Sequence, residues 1–184
     1  RLEDAMAHVN TTEATFVSTP MTRMKGIDEF GCVLTHLEPL PAVVCGLLDR
    51  IHPTLARFGV ARGEIDIGEE GETVADMDGP AFHRASALLE SLESEGLFLA
   101  VDTGAPADGL LSSALNALVL ARTGLTDRQV EVGLAYERHG TQAAAGDHLG
   151  IPQQAVSDAL QRANYVERRA LRRDLREAIR RTYD

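Results

Sequence analysis

The stretch from Leu125 to Arg162, LTDRQVEVGLAYERHGTQAAAGDHLGIPQQAVSDALQR, constrains this chain more than any other, because helix stops and helix starts alternate through it. Gly124 can close a preceding helix in a left-handed conformation, and Thr126 with Gln129 three residues on forms a capping box for the next. Val130, Leu134 and Ala135 keep helical spacing up to His139-Gly140, after which Thr141 can cap a second helix ending at Leu149-Gly150. A third helix follows Pro152, a residue accepted in a first helical turn, with Val156 and Leu160 as its apolar side. Gly146 is small where the last two helices must cross, and Gly150 suits the tight turn between them. Together these segments predict a helix-turn-helix with a supporting helix ahead of it.

The outward face of the third helix is polar, with Gln153, Gln154, Ser157, Asp158, Gln161 and Arg162. Such side chains meet base edges and phosphates when a helix lies in a major groove, and glutamine pairs bidentately with adenine. Asp158 opposes this reading, because phosphates repel it. The alternative is a tri-helical unit that docks on a protein or on its own copy.

Charge divides the chain. Residues 125–184 carry net +1, whereas residues 1–124 carry net −11 of the total of −10. The acidic part is therefore not the nucleic-acid surface. The basic residues concentrate in YVERRALRRDLREAIRRTY, Tyr165 to Tyr183, where Val166, Leu171, Leu175 and Ile179 share one side of a helix. Three readings are open for it: Arg168 and Arg169 among others follow phosphates, the helix pairs with its dimer mate as a short coil, or it folds back on the acidic part and its arginines pair there.

Residues 1–124 alternate helices and strands. Helical spacing covers Arg1 to Val9, strand patterns cover Thr15 to Ser18 and Phe30 to Leu34, and a turn is expected between Pro20 and Gly26. A helix over Pro39 to Leu55, a strand over Phe58 to Ile67, and a Gly- and Glu-rich loop to Met77 follow. Next come a helix from Gly79-Pro80 to Glu95, a strand over Leu97 to Thr103, and a helix over Ala107 to Arg122. This order predicts an α+β class with one mixed sheet and helices packed against it over residues 1–106, a connecting helix over 107–124, and the all-α unit over 125–184. Cys32 and Cys45 are too few and too apolar in setting for a disulfide framework or a zinc site, and read as reduced core thiols of a cytoplasmic protein. No apolar run is long enough to span a membrane.

Three pieces carry a resemblance: Lys25-Gly26-Ile27-Asp28-Glu29-Phe30, Arg57-Phe58-Gly59-Val60-Ala61-Arg62-Gly63-Glu64, and Asp78-Gly79-Pro80-Ala81-Phe82-His83-Arg84-Ala85. With the C-terminal helix-turn-helix, itself similar to the fourth region of sigma factors, they make the chain resemble the SatD family, and at greater distance the class III nucleotide cyclase domain. The resemblance implies a ferredoxin-like, nucleotide-cyclase-like sandwich, with Asp28 near a hairpin where cyclases hold a metal carboxylate. Paired acids such as Asp28 and Glu29 suit a divalent ion through hard oxygen ligands. The first strand, which in cyclases carries the other metal aspartate, is absent from this sequence. Where cyclases place an Asn and then an Arg on the transferring phosphate, this chain matches His83 and Ala87, and an alanine cannot stabilise developing phosphoryl charge.

Cyclase catalysis is therefore not expected. Arg62, Glu64, His83 and Arg84 stand as candidate ligand-binding residues for a nucleotide or small molecule, and Asp28 as a candidate metal ligand. Glu64 and Asp66, two apart on the expected strand, would share a face and could pair for acid-base work or a metal, but they read first as the solvated strand face of a very acidic domain. The expectation is a cytoplasmic, homodimeric, non-catalytic regulator binding double-stranded DNA through Gln153, Gln154, Ser157, Gln161, Arg162, Arg168 and Arg169, with the acidic part sensing a ligand or dimerising. The alternatives are a metal-dependent nucleotide-handling protein on a cyclase-like palm, and a protein-docking adaptor.

Overall fold

The computed structural model of the chain describes residues 1–24, 26, 29–66 and 73–183. In order these form α1 (Leu2–Thr12), β1 (Val17–Arg23), β2 (Phe30–Leu34), α2 (Leu40–Ile51), β3 (Phe58–Ala61), a 3₁₀ turn (Val74–Asp76), α3 (Pro80–Glu95), β4 (Leu99–Asp102), α4 (Asp108–Thr123), α5 (Asp127–His139), α6 (Gln142–Leu149), α7 (Gln153–Arg162) and α8 (Tyr165–Tyr183). The class is α+β, with the strands confined to the N-terminal part. Among the described residues no helix is long and apolar enough to cross a membrane.

Where one mixed sheet was expected from the pattern, the described residues form two two-stranded sheets, β1 with β2 antiparallel and β3 with β4 parallel. Three boundaries also move, each for a local reason. β1 continues through Pro20 to Arg23 where a turn was expected; the register slips between Val17 and Thr22 leave proline at an irregular stretch of a strand that, among the described residues, pairs with β2 alone. α2 stops at Ile51 rather than Leu55, because Pro53 disfavours helical backbone at His52 and lacks the N–H that a further turn needs. β3 ends at Ala61 because its partner β4 ends opposite it at Asp102; Asp66 then makes an isolated bridge to Asp78. Glu64 and Asp66 therefore do not share a strand face, and Ile67 with most of the GEEGET loop lies outside the described residues.

Apolar periodicity explains the main core. α1 contributes Ala5, Met6 and Val9, α2 the run Val43 to Leu48, β3 and β4 Phe58, Leu99 and Val101, and α4 Leu111, Leu115, Leu118 and Val119. Each fully buried leucine there contributes about 1.5–3 kcal/mol. Asn116, buried among them, accepts from the Phe98 and Leu99 amides at 2.9 and 3.2 Å and donates to the Leu99 carbonyl at 2.6 Å. It fixes α4 along β4 with its polar atoms satisfied. Cys45 is buried and Cys32 half-buried; both are free, and burial pushes each thiol up to about 11, so they remain unreactive core thiols.

The main core is completed from the far end of the sequence. α8 folds back so that Ile179 is buried in it, with Leu175 and Tyr183 packed alongside. Arg176 of α8 donates to Glu38 at 2.9 Å and to Glu13 at 3.4 Å, and its guanidinium lies 5.3 Å from the Phe16 ring centroid. Of the sequence readings of the arginine helix, the fold-back packing is observed.

The last turn of α8 is tied by Tyr183, whose hydroxyl donates to Asp108 at 3.0 Å. Burial opposes the charge on Asp108, but donors from Thr103 (backbone and hydroxyl), Tyr183 and Ala105 outweigh it and hold the carboxyl below its ordinary range. A depressed carboxyl contributes stability that is present above its unfolded pKa and is lost as pH falls through the folded one. Asp108→Asn is accordingly less stable than the parent at pH 6, and the gap closes below about pH 4. Urea unfolding midpoints of both proteins across that range measure it; a gap that does not depend on pH would exclude the charge as the cause.

Candidate nucleic-acid interface

The C-terminal helices are set by bonds that the local sequence specifies. The Thr126 hydroxyl accepts from the Gln129 amide at 3.3 Å and the Gln129 side chain accepts from the Thr126 amide at 2.8 Å, closing the capping box at the start of α5. The Thr141 hydroxyl accepts from the Ala144 amide at 3.1 Å at the start of α6. Gly140 and Gly150 take positive φ of 77° and 66° and end α5 and α6, a conformation that glycine adopts without steric penalty. Gly124 does not; it follows α4 at φ −90°. A Cβ on Gly146 would lie 2.7 Å from the Ile151 carbonyl oxygen, so only glycine lets α6 carry the turn into α7 at this distance.

Val132, Ala135, Ala145, Val156, Leu160 and Tyr165 form a second core beneath α7, with Tyr136 edge-on to Tyr165 at 5.4 Å between ring centroids. Because Val156 and Leu160 point inward, Gln153, Gln154, Gln161 and Arg162 are exposed and Ser157 is half-exposed on the outward side. Gln153, Gln154, Ser157 and Gln161 thus fall within about 100° of the helix circumference, while Arg162 lies on the side of α7 opposite Gln153. Asp158 borders Gln154 and accepts from its side-chain amide at 2.8 Å, which directs that amide along the helix and occupies part of the carboxylate.

The arginines of α8 divide differently from expectation. Arg168 turns inward, donating to the Ala163 carbonyl at 2.8 Å and closing the end of α7; its burial lowers its pKa. It is a brace of the α7–α8 junction, where Asn164 takes φ 46°, rather than a residue of the outer face. Arg172 pairs with Glu137 of α5 at 3.0 Å; burial opposes its charge, and Glu137 outweighs it. Arg180 and Arg181 converge on Glu177 at 2.8 and 2.7 Å, and their hydrogen bonds draw its carboxyl down to about 2. Arg169 is exposed. The positive charge of this helix is largely met by its own acids and by those of its neighbours.

In the N-terminal part, Arg62, Glu64, His83 and Arg84 are all exposed and meet around the start of α3. Arg84 donates to the Arg62 carbonyl at 3.1 Å, the Ala81 amide to the Glu64 carbonyl at 3.1 Å, and His83 lies 3.3 Å from Asp78. Gly79 makes this close approach possible: its φ is 127°, and a Cβ there would come within 2.9 Å of the Asp66 amide nitrogen. Asp28, the candidate metal ligand, lies outside the described residues.

One feature has no single sequence signal. A cleft of about 1540 Å³ opens between β2 and β3, lined by Phe30, Cys32, Val60 and Phe98 and by Phe82 and Leu89 of α3. Its walls come from separate segments, none of which is distinctive alone. No family model, curated protein or solved structure matches this chain.

Proposed function

We propose that this chain is a DNA-binding transcriptional regulator of the SatD type, cytoplasmic, homodimeric and without catalytic activity of its own. The observation that carries the reading is α7, a helix anchored by Val156 and Leu160 that leaves Gln153, Gln154, Ser157 and Gln161 on one outer side and exposes Arg162 at its end. Amide side chains at adjacent positions of such a helix suit adenine edges, and Arg162 with the exposed Arg169 suits phosphates. Dimerisation follows from charge: the net +1 of residues 125–184 makes one recognition helix a weak binder, and two half-sites multiply the affinity. The α+β part is read as a ferredoxin-like, cyclase-like layer for dimerisation or for sensing a nucleotide or other small molecule. Arg62, Glu64, His83 and Arg84 at the start of α3 are its ligand candidates, and Asp28 its candidate metal ligand.

Selection of duplexes from a random pool by the 184-residue chain, at low and high salt, tests the proposal. The expected result is a two-fold symmetric motif. Gln153→Ala then relaxes preference at single base positions by about 1–3 kcal/mol, while Arg162→Ala weakens binding to all sequences alike and lowers the salt slope by about 1. Absence of enrichment at either salt would overturn the reading.

A further inference from the structure

Tyr165, Arg168, Arg169 and Arg172 recur at i, i+3, i+4 and i+7 along α8, the spacing that puts side chains on one side of a helix. Arg172 is thereby a neighbour of both Arg168 and Arg169, and like charges at these spacings oppose the helix that holds them together. All four residues line a small cleft, about 20 Å³, where α8 meets α5 and the last turns of α2 and α4.

Six charged side chains line this cleft: Arg122, Arg168, Arg169 and Arg172, against the carboxylates of Asp49 and Glu137. Both carboxylates are already engaged. Asp49 accepts from Arg122 on its two oxygens at 3.0 and 3.4 Å, and Glu137 accepts from Arg172 at 3.0 Å and from the Tyr165 hydroxyl. Among the described residues neither Arg168 nor Arg169 forms an ion pair. Arg168 has the Nε bond to the Ala163 carbonyl, and burial together with the Arg122 charge outweighs the pull of Asp49 and lowers its pKa. The cleft thus carries two guanidinium charges beyond those its carboxylates balance, in a chain of net charge −10. A half-buried charge of this kind is stabilised by a partner of opposite sign.

Charge and size select that partner. Two unmatched guanidinium groups suit a doubly charged oxyanion better than a halide, because each planar fork can take two oxygens of a tetrahedral anion. The cleft exceeds the roughly 10–15 Å³ that one water needs and falls far below the roughly 300–1,000 Å³ of a pocket that encloses an organic ligand. We propose that it binds a single phosphate-class oxyanion, held by Arg168 and Arg169 where α8 crosses from the helical unit to the α+β part. Free phosphate or sulfate, or the end group of a phosphate monoester, presents this same chemistry. Bound there, the anion offsets the repulsion along the arginine stripe and so stabilises the crossing. Arg169 is the one residue shared with the DNA reading, no residue of α7 lines the cleft, and the test uses no duplex, so the two proposals stand or fall separately.

Sodium phosphate is titrated into the 184-residue chain at neutral pH and at constant ionic strength set with sodium chloride, with heat of binding and Tm as readouts. Sodium sulfate and adenosine monophosphate are run beside it. The expected result is saturable binding of one anion per chain that raises Tm, with sulfate equivalent to phosphate. Arg169→Gln, at an exposed position, weakens binding by about tenfold or more, the loss of one charge-assisted contact, and Arg168→Gln does the same. Arg169→Gln keeps the test decisive if loss of the brace at Arg168 unfolds the α7–α8 junction. Arg173→Gln, outside the cleft, leaves the affinity unchanged. Adenosine monophosphate binding no tighter than phosphate identifies the free anion as the occupant; tighter binding with the same arginine dependence identifies a phosphate monoester. Failure of phosphate and sulfate to saturate, or full affinity retained in Arg169→Gln, would overturn the proposal.

Discussion

Arg122→Ala lowers the unfolding free energy by about 3–5 kcal/mol, the effect of breaking a buried ion pair from one side. The Arg122 side chain is 7% exposed, and its Nε and Nη2 donate to the two oxygens of Asp49 at 3.0 and 3.4 Å, while Nη1 donates to the Leu118 carbonyl at 3.3 Å. Burial opposes the charge of Arg122, and the Asp49 carboxylate helps to outweigh it, so the guanidinium is held more firmly protonated than usual. Truncation leaves Asp49, 16% exposed at its side chain, with its carboxylate unpaired between α2 and α4. The double variant Arg122→Met with Asp49→Leu recovers most of the loss, since the penalty lies in the orphaned charge rather than in the absence of the pair. Urea unfolding of the parent, Arg122→Met, Asp49→Leu and the double variant closes the cycle. A double variant as unstable as Arg122→Ala would show that packing, not charge, is what Arg122 supplies.

Ile179→Ala has the second large effect, about 2–5 kcal/mol, as a cavity in a core with little room to collapse. Ile179 is 2% exposed and sits among residues of α1, α2 and α4. Arg180 and Arg181, its exposed neighbours, pair with Glu177 of α8 at the surface, and their alanine variants stay within about 0.5 kcal/mol of the parent. The loss at Ile179 is also local in kind. α5, α6 and α7 keep their own core, so amide exchange accelerates over the second half of α8 while Val132 and Val156 hold their protection. Uniform acceleration through α5–α7 would mean that the helical unit does not stand on its own core.

What is legible in the sequence follows the range of the interactions involved. The caps at Thr126 and Thr141 can be read because donor and acceptor are three residues apart. Gly146 can be read because the turn it must approach, at Ile151, is close in the chain. The bounds of β2 and the extent of α3 from Pro80 to Glu95 follow from local composition in the same way. The apolar stripe of α8 is visible too, but not what it covers: Ile179 meets residues more than fifty positions earlier, while Val166, placed on the same stripe, is 73% exposed. Arg168 and Arg169 are adjacent and chemically identical; only the fold turns one to the Ala163 carbonyl and leaves the other outside. The separation of the strands into two sheets has the same origin, since alternation identifies a strand without identifying its neighbour. The outer side of α7 lies at the legible end, because one helix supplies all of its residues.

The docking of α8 also bears on the order in which this protein can be finished. Except for Ile179, the buried members of the main core lie between Ala5 and Val119. On a ribosome, Ile179 is made roughly sixty residues after Val119, a delay of roughly 3–12 s at about 5–20 residues per second. Through that interval the α+β part has its sheets and helices but an uncovered apolar surface where α8 will lie. The half synthesised first is completed last, and during synthesis it depends on whatever shields such surfaces in the cell.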